Sequence, residues 1–213
     1  MKKIFLSAML LLLGSCSADF AQGTVENEKT ADQLFREEAA GEYYVGCYQS
    51  GDSTYSINHI EIVEGDLDRG SMNVVQYMYS SDACSARSLL LITDFEMHLT
   101  TGAVNGEVDQ NDTASLLLNS SMVTARKTNL TVSSVSMTIY NEVIRAHMES
   151  VYGVPITLGV ETVVSTTPET YYGYLYLGTN PASITMSMLI PYNTDKEDRA
   201  IFEPDNYLTA IEY

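Results

Sequence analysis

The sequence predicts an all-β fold, an antiparallel β-barrel or sandwich with one amphipathic helix. From residue 41 onward, apolar and polar side chains alternate in short runs, which is typical of half-buried strands. Turns rich in Gly and Asn separate these runs, at the spacing expected of barrels and sandwiches. One stretch, residues 141–152, instead places its apolar side chains at helical spacing.

Ten segments carry the strand pattern: 42–48, 56–63, 71–80, 89–99, 114–124, 130–139, 156–165, 169–177, 183–190 and 206–211. The clearest alternation lies in 89–99, where Leu91, Phe95 and Leu99 share one side with Met97 while His98 lies on the polar side. A turn rich in Gly, Asn and Asp over 102–112 interrupts the series. One domain over 41–213 is the simplest division, and a break near 101–113 is the alternative.

Two helices are predicted. Residues 30–40 begin with a capping box formed by Thr30 and Gln33 and are followed by Gly41, which suits a helix end. In the second helix, 141–152, the apolar stripe predicts that His147 is partly buried. Gly153 and the Pro that follows it end this helix.

Composition limits the classes of function. The chain has 213 residues, 45% of them hydrophobic, so it is too apolar to be disordered. Its 28 acidic and 11 basic residues give a formal charge of −17. This charge argues against binding to nucleic acid and against electrostatic docking on anionic lipid, and it leaves basic proteins and cations as charged partners.

The N-terminus predicts export. Lys2 and Lys3 precede ten almost wholly apolar residues, 4–13. A helix of that length measures about 15 Å, half of what a hydrocarbon core requires, so it is typical of a signal peptide rather than a membrane span. No later stretch is apolar enough for a transmembrane helix.

The end of this segment, Leu13-Gly14-Ser15-Cys16, resembles the lipobox of bacterial lipoproteins. The resemblance implies that residues 1–15 are removed, that Cys16 is lipidated, and that lipid attaches the chain to a membrane of the cell envelope. Ser17 after the Cys favours the outer membrane, facing the periplasm or the cell surface. An ordinary secretory signal with a chance Cys is the alternative. Residues 16–40 then form an acidic tether, and the mature chain of 198 residues carries a charge of −19.

If Cys16 carries lipid, two cysteines remain, Cys47 and Cys84. Because an exported chain occupies an oxidising compartment, a disulfide between them is the economical expectation. Two free thiols or a metal-binding pair are the alternatives. The sequence has no C-x-x-C motif, so the expected role of this disulfide is stability.

Further residues resemble lipocalin-like bacterial lipoproteins of small β-barrel form. Gly41-Glu42-Tyr43 opens a strand that carries Cys47, and Tyr77-Met78-Tyr79 is followed by Asp82 and Cys84. Arg199, Pro204 and Tyr207 lie near the end of the chain. Tyr43 stands where that group places a Trp at the barrel base. The resemblance implies a closed, lipocalin-like barrel over most of residues 41–213 and names no ligand residue.

No catalytic or metal-binding motif is present. The three His residues are isolated, and no G-x-S-x-G or H-E-x-x-H element occurs. We therefore predict a non-enzymatic protein without a cofactor or metal.

Tyr is the most unusual component, with 15 residues against no Trp. Tyr172, Tyr174 and Tyr176 share one face of a strand, where they could form an aromatic ligand platform or pack on neighbouring strands.

Two functions fit these observations. The first is a membrane-anchored binding module that holds an apolar or amphipathic small ligand in the barrel mouth, favoured by Met and Tyr on the strand faces. The second is an acidic protein-interaction or inhibitor lipoprotein that acts on a basic envelope partner such as a hydrolase, favoured by the negative charge.

Overall fold

The computed structural model describes residues 31–66, 69–101, 113–179, 182–187, 190–191 and 207–212. The predicted signal peptide, Cys16, Ser17 and the turn over 102–112 lie outside these residues, as do Arg199 and Pro204. Neither helix in the described part of the chain is long and apolar enough to cross a membrane.

The described residues form two α-helices, a 3₁₀ turn and eleven strands. The helices are α1 (Ala31–Ala39) and α2 (Glu142–Tyr152), and the 3₁₀ turn is Ala86–Ser88. The strands are β1 (Gly41–Gly51), β2 (Thr54–Asp66), β3 (Arg69–Tyr79), β4 (Leu89–Thr101), β5 (Thr113–Leu118), β6 (Ser121–Ile139), β7 (Thr162–Ser165), β8 (Glu169–Thr179), β9 (Ala182–Ser187), β10 (Ile190–Pro191) and β11 (Tyr207–Glu212).

Eight of these strands close into an antiparallel barrel in the order β1-β2-β3-β4-β6-β8-β9-β11, with β11 pairing back to β1. The short strands β5, β7 and β10 extend this sheet along β6 and β8. Each barrel strand pairs with the next barrel strand along the chain, including β6 and β8, which α2 and β7 separate in sequence. The predicted lipocalin-like barrel is confirmed, and a sandwich is excluded.

One strand prediction is wrong. Residues 114–124 do not form a single strand but a hairpin, in which β5 turns into β6 at Asn119 and Ser120. Both turn residues have positive φ, 48° and 66°, as a two-residue hairpin turn with the twist of the flanking strands requires. The strand that follows is continuous to Ile139, because β5, β8, β4 and β7 in turn supply partners along almost its whole length.

Two further predictions near α2 need correction. Only the end of the predicted strand 156–165 is extended as β7. His147 is exposed rather than partly buried, and Val143 on the same helix is 78% exposed. The helix packs through Ile144 and Met148, because the barrel end offers apolar side chains to only part of its stripe.

Helix α1, placed in the tether by the sequence, packs on the barrel at the end we call the base. Its Arg36 is fully buried, and one guanidinium nitrogen donates to the Glu64 carbonyl oxygen at 2.8 Å. Gly70 makes room for this side chain, since a Cβ there would lie 3.2 Å from Arg36 Cδ. Tyr43, the residue in place of the expected Trp, donates its hydroxyl to the Ala39 carbonyl oxygen. These contacts hold α1 across the base.

The predicted disulfide is present. Cys47 and Cys84 are joined, which links β1 to the loop between β3 and β4. These residues lie at the opposite end of the barrel from α1, which we call the mouth. The disulfide therefore stabilises the mouth by closing a loop whose ends are 37 residues apart.

The double substitution Cys47→Ser/Cys84→Ser is expected to lower the free energy of unfolding by about 4 kcal/mol, because the unfolded chain regains the entropy of that loop. Urea denaturation of the oxidised wild type and the variant measures the difference. Wild-type protein kept in reductant is the control and should match the variant. Equal unfolding midpoints for the oxidised wild type and the variant would contradict this account.

Candidate functional site

The strand register divides the barrel wall into inward-facing and outward-facing side chains. At the base, the inward side chains are packed against one another and against Ala39 of α1. They are almost fully buried: Tyr43, Ile60, Ile62, Met72, Leu99, Leu130, Leu175, Ile184 and Ala210. This end is closed by a packed core, and two clefts of about 230 and 260 Å³, both lined in part by Glu38 and Leu177, lie beside α1.

Above the base, a second set of inward-facing apolar side chains is only partly buried. We call it the lumen ring: Val45, Val74, Phe95, Val132, Val135 and Leu208. An inward side chain of a closed barrel that keeps accessible surface indicates space inside the barrel. Eight-stranded barrels have interiors of a size that side chains can fill or that one small ligand can occupy. Three members of the ring, Val45, Val74 and Leu208, pack against the base core.

Polar side chains occupy the next level toward the mouth. Asn58, Gln76 and Thr93 are direct neighbours on β2, β3 and β4, and all three face inward. With Tyr48 on β1 they form what we call the polar belt. Asn58 and Thr93 are 4% and 3% exposed. The belt is thus a buried polar layer between the lumen ring and the mouth.

The hydrogen bonds of Asn58 are incomplete. Its side-chain nitrogen donates to the Tyr48 hydroxyl at 3.0 Å, whereas its side-chain oxygen has no protein donor. A buried acceptor without a donor costs about 1–3 kcal/mol. A bound molecule with a hydrogen-bond donor at this point would recover that free energy, so Asn58 is the polar atom most suited to orient a ligand.

Helix α2 and the segment after it lie across the mouth. Ile144 and Met148 pack with Leu91 and Ile139 in a second apolar cluster. Asn141 caps the helix by accepting from the backbone N–H groups of Val143 and Ile144.

A carboxylate fixes the chain that follows the helix. A Glu149 side-chain oxygen accepts from the Ile156 backbone N–H at 2.8 Å, and this bond is the main cause of the lowered pKa of Glu149. The mouth is therefore partly covered by an ordered element.

Near α2, the inward-facing Tyr171 donates its hydroxyl to a Glu169 carboxylate oxygen at 2.6 Å. Burial, and then this bond and the charge of Glu169, raise the pKa of Tyr171 to about 12. The side of the mouth formed by β8 therefore carries a neutral phenol and an acidic group.

The predicted tyrosine face points away from the lumen. Tyr172 is 9% exposed on the outer side of β8. Tyr174 and Tyr176 pack with apolar side chains of the β5–β6 hairpin, namely Leu116, Leu118, Val123 and Ala125. The three residues share a face, as predicted, and the structure uses most of it for packing on the barrel exterior. Ligand binding by this face stays a prediction.

The outer surface of β1, β2 and β4 is acidic. Glu42 lies directly opposite Glu61, and Asn73 on β3 separates Glu61 from Glu96. A groove of about 300 Å³ runs here, lined in part by Glu61, Val63, Asn73 and Glu96. Like charges on neighbouring strands repel, so this surface is stabilised by any cationic group that covers it.

Asp94 and Glu161 continue the acidic surface beside Glu96. Burial, and then the charges of Glu96 and Glu161, raise the pKa of Asp94. Glu161 accepts a hydrogen bond from Ser136 at 2.6 Å. We call Glu42, Glu61, Asp94, Glu96 and Glu161 together the acidic face.

Sequence reasoning missed the polar belt, although a signal was present. Asn58 interrupts the inward series that ends in Ile60 and Ile62, and Gln76 lies between the inward Val74 and Met78. A polar residue on an otherwise apolar strand face indicates a buried polar site.

Cys16, the predicted lipidation site, lies outside the described residues. Within the described ranges, no group of three or more His, Cys, Asp or Glu side chains is placed to hold a metal ion. No protein-family model matches the chain, and no curated protein matches it.

Asp94→Asn is expected to stabilise the protein at neutral pH, by about 1–3 °C in melting temperature. The raised pKa means that the folded state disfavours the ionised carboxylate. This penalty is complete above the folded-state pKa and disappears below the unfolded value of about 3.9. The difference in melting temperature should therefore be largest near pH 7 and shrink toward pH 4.

Thermal unfolding across this pH range measures the effect of Asp94→Asn. Asp52→Asn, in an exposed turn, removes the same charge far from Glu96 and Glu161 and serves as the control. A gap between variant and wild type that grows as the pH falls would contradict the assignment.

Proposed function

We propose that this protein is a non-enzymatic binding module that holds an apolar or amphipathic small molecule inside its barrel. The observation that carries this proposal is the lumen ring, whose inward-facing apolar side chains remain partly accessible although the barrel is closed. Small-molecule sites are mostly apolar cavities with a few placed polar groups. The lumen ring and the polar belt have this composition.

The proposal includes the position of the protein in the cell. The lipobox-like Leu13-Gly14-Ser15-Cys16 supports lipid attachment at Cys16 in the bacterial cell envelope, with Ser17 favouring the outer membrane. Residues 16–30 precede α1 and span at most about 50 Å when extended. Because this tether leads into α1 at the base, the proposed lipid attachment approaches the barrel from its base end.

The test uses the chain from Ser17 to Tyr213, which contains every described residue and needs no detergent. The neutral fluorescent probe N-phenyl-1-naphthylamine is expected to bind with blue-shifted, enhanced emission, because the lumen excludes water. The variant Val74→Trp should weaken probe binding about tenfold or more, since the larger side chain fills lumen space.

Val75→Trp is the matched control, because Val75 is the next residue on β3 and faces outward. It should bind the probe like the wild type. Circular dichroism and thermal unfolding verify that both variants fold. Absence of probe binding to the wild type, or equal binding by a folded Val74→Trp variant, would refute binding in the lumen.

The acidic face favours a second candidate function, binding of a basic envelope protein such as a hydrolase. Its acidic side chains project from one side of the barrel, and none of the other described residues lining the groove beside them is Lys or Arg. Such a surface attracts basic partners over a range set by salt. An inhibitor lipoprotein would use it to cover a basic enzyme.

Hen lysozyme serves as a basic probe for this second function. Its binding to the Ser17–Tyr213 chain is expected to weaken at least tenfold between about 50 and 500 mM salt. Glu61→Gln/Glu96→Gln should weaken binding at low salt more than Asp52→Asn/Asp82→Asn, which removes two charges elsewhere. Salt-independent binding, or equal effects of the two double variants, would count against the acidic face.

A further inference from the structure

Resting on the proposed lumen site, we propose that its ligand is a neutral amphiphile whose head group donates a hydrogen bond to the Asn58 side-chain oxygen. Long-chain alcohols, acylglycerols and primary fatty amides belong to this class. Carboxylate-headed fatty acids do not.

The hydrogen-bonding state of Asn58 supports a donating head group. Asn58 is only 4% exposed, and its side chain faces inward. Its side-chain nitrogen already donates a hydrogen bond to the Tyr48 hydroxyl. The oxygen that remains has no protein donor. A hydroxyl or amide N–H can satisfy this acceptor, whereas an ether or an ionised carboxylate has no proton to donate.

The charges of the barrel interior support a neutral head group. None of the described residues that face inward at the polar belt, or between it and the mouth, is Lys or Arg. Arg145, on the helix at the mouth, is already paired with the carboxylates of Glu142 and Glu149. The two arginines packed at the base are Arg36, which donates to Glu64, and Arg126, which stacks over the Phe35 ring at 5.0 Å.

The packed base core separates both arginines from the belt. A carboxylate at Asn58 would therefore lose its water without gaining a counter-charge, which is strongly unfavourable. The carboxylate of Glu169 at the mouth would also repel a carboxylate head group.

The order of layers orients the ligand. Val74, Phe95 and Val135 lie one level below the belt, and the buried Leu91 and Ile139 lie one level above it, against α2. Met78, on the level above the belt, is partly buried and packs in the cluster with α2, so the apolar surface left for a ligand lies below, at Phe95. The apolar chain therefore points toward the base and the head group stays at the belt.

The experiment measures competition with N-phenyl-1-naphthylamine on the Ser17–Tyr213 chain at pH 8. The competitors share one chain length: 1-decanol, decyl methyl ether and decanoate. Decanol is expected to displace the probe at a concentration about tenfold lower than either of the others, because it alone is neutral and donates a hydrogen bond.

Asn58→Leu should abolish the preference for decanol over the ether while retaining probe binding. Asn73→Leu is the control, because Asn73 lies on the adjacent strand and faces outward. It should keep the wild-type preference. The competition on wild-type protein decides the question even if Asn58→Leu does not fold.

The failures of the two proposals are distinguishable. If the wild type binds no probe, the lumen site itself is refuted, and this inference is refuted with it. If the probe binds but decanoate or the ether competes as well as decanol, the lumen site stands and the neutral, donating head group is refuted. A folded Asn58→Leu variant that keeps the preference for decanol overturns the role of Asn58.

Discussion

Closure of the sheet is the constraint on which the other features of this protein depend. The pairing of β6 with β8 and of β11 with β1 leaves no open edge in the barrel and assigns every strand residue to the inside or the outside. Because side chains alternate with a period of two, a slip of one residue would exchange the two faces. The register that buries Ile60 at the base also places Asn58 inside and Glu61 outside, so core, lumen and acidic face have one common origin.

The two ends of the barrel differ in how they are closed. At the base, α1 places Arg36 and Ala39 against the inward side chains, and the core there is almost fully buried. At the mouth, α2 contacts the rim mainly through Ile144 and Met148, and a disulfide fixes the neighbouring loop. The partly accessible side chains of the lumen ring lie between these two ends. In the proposed function, the polar belt at this depth supplies the polar anchor that fixes the orientation of a ligand.

The acidic side chains and the neutral polar side chains of the belt lie on opposite sides of the barrel wall. The acidic face lies on the outside, where solvent reduces its repulsion, while the polar belt inside contains neutral side chains. The carboxylates of the acidic face therefore lie on the outer wall and say little about the proposed ligand. The proposed small-molecule function rests on the interior and the proposed protein-binding function on the exterior, so substitutions on the two faces test the two proposals separately.

The sequence by itself determined the all-β class, both helices, most strands and the Cys47–Cys84 pair, because alternation, capping residues and cysteine number are local signals. The same local signals also gave two wrong predictions. The segment 114–124 alternates well yet contains a hairpin turn. The apolar stripe of α2 includes Val143, which is exposed in the structure. Only the tertiary structure decided that the tyrosine face points outward and that Asn58 points inward with its oxygen unsatisfied. Which face of a strand is inside depends on where the sheet closes, and that closure joins residues more than 160 positions apart, such as Tyr43 and Glu212.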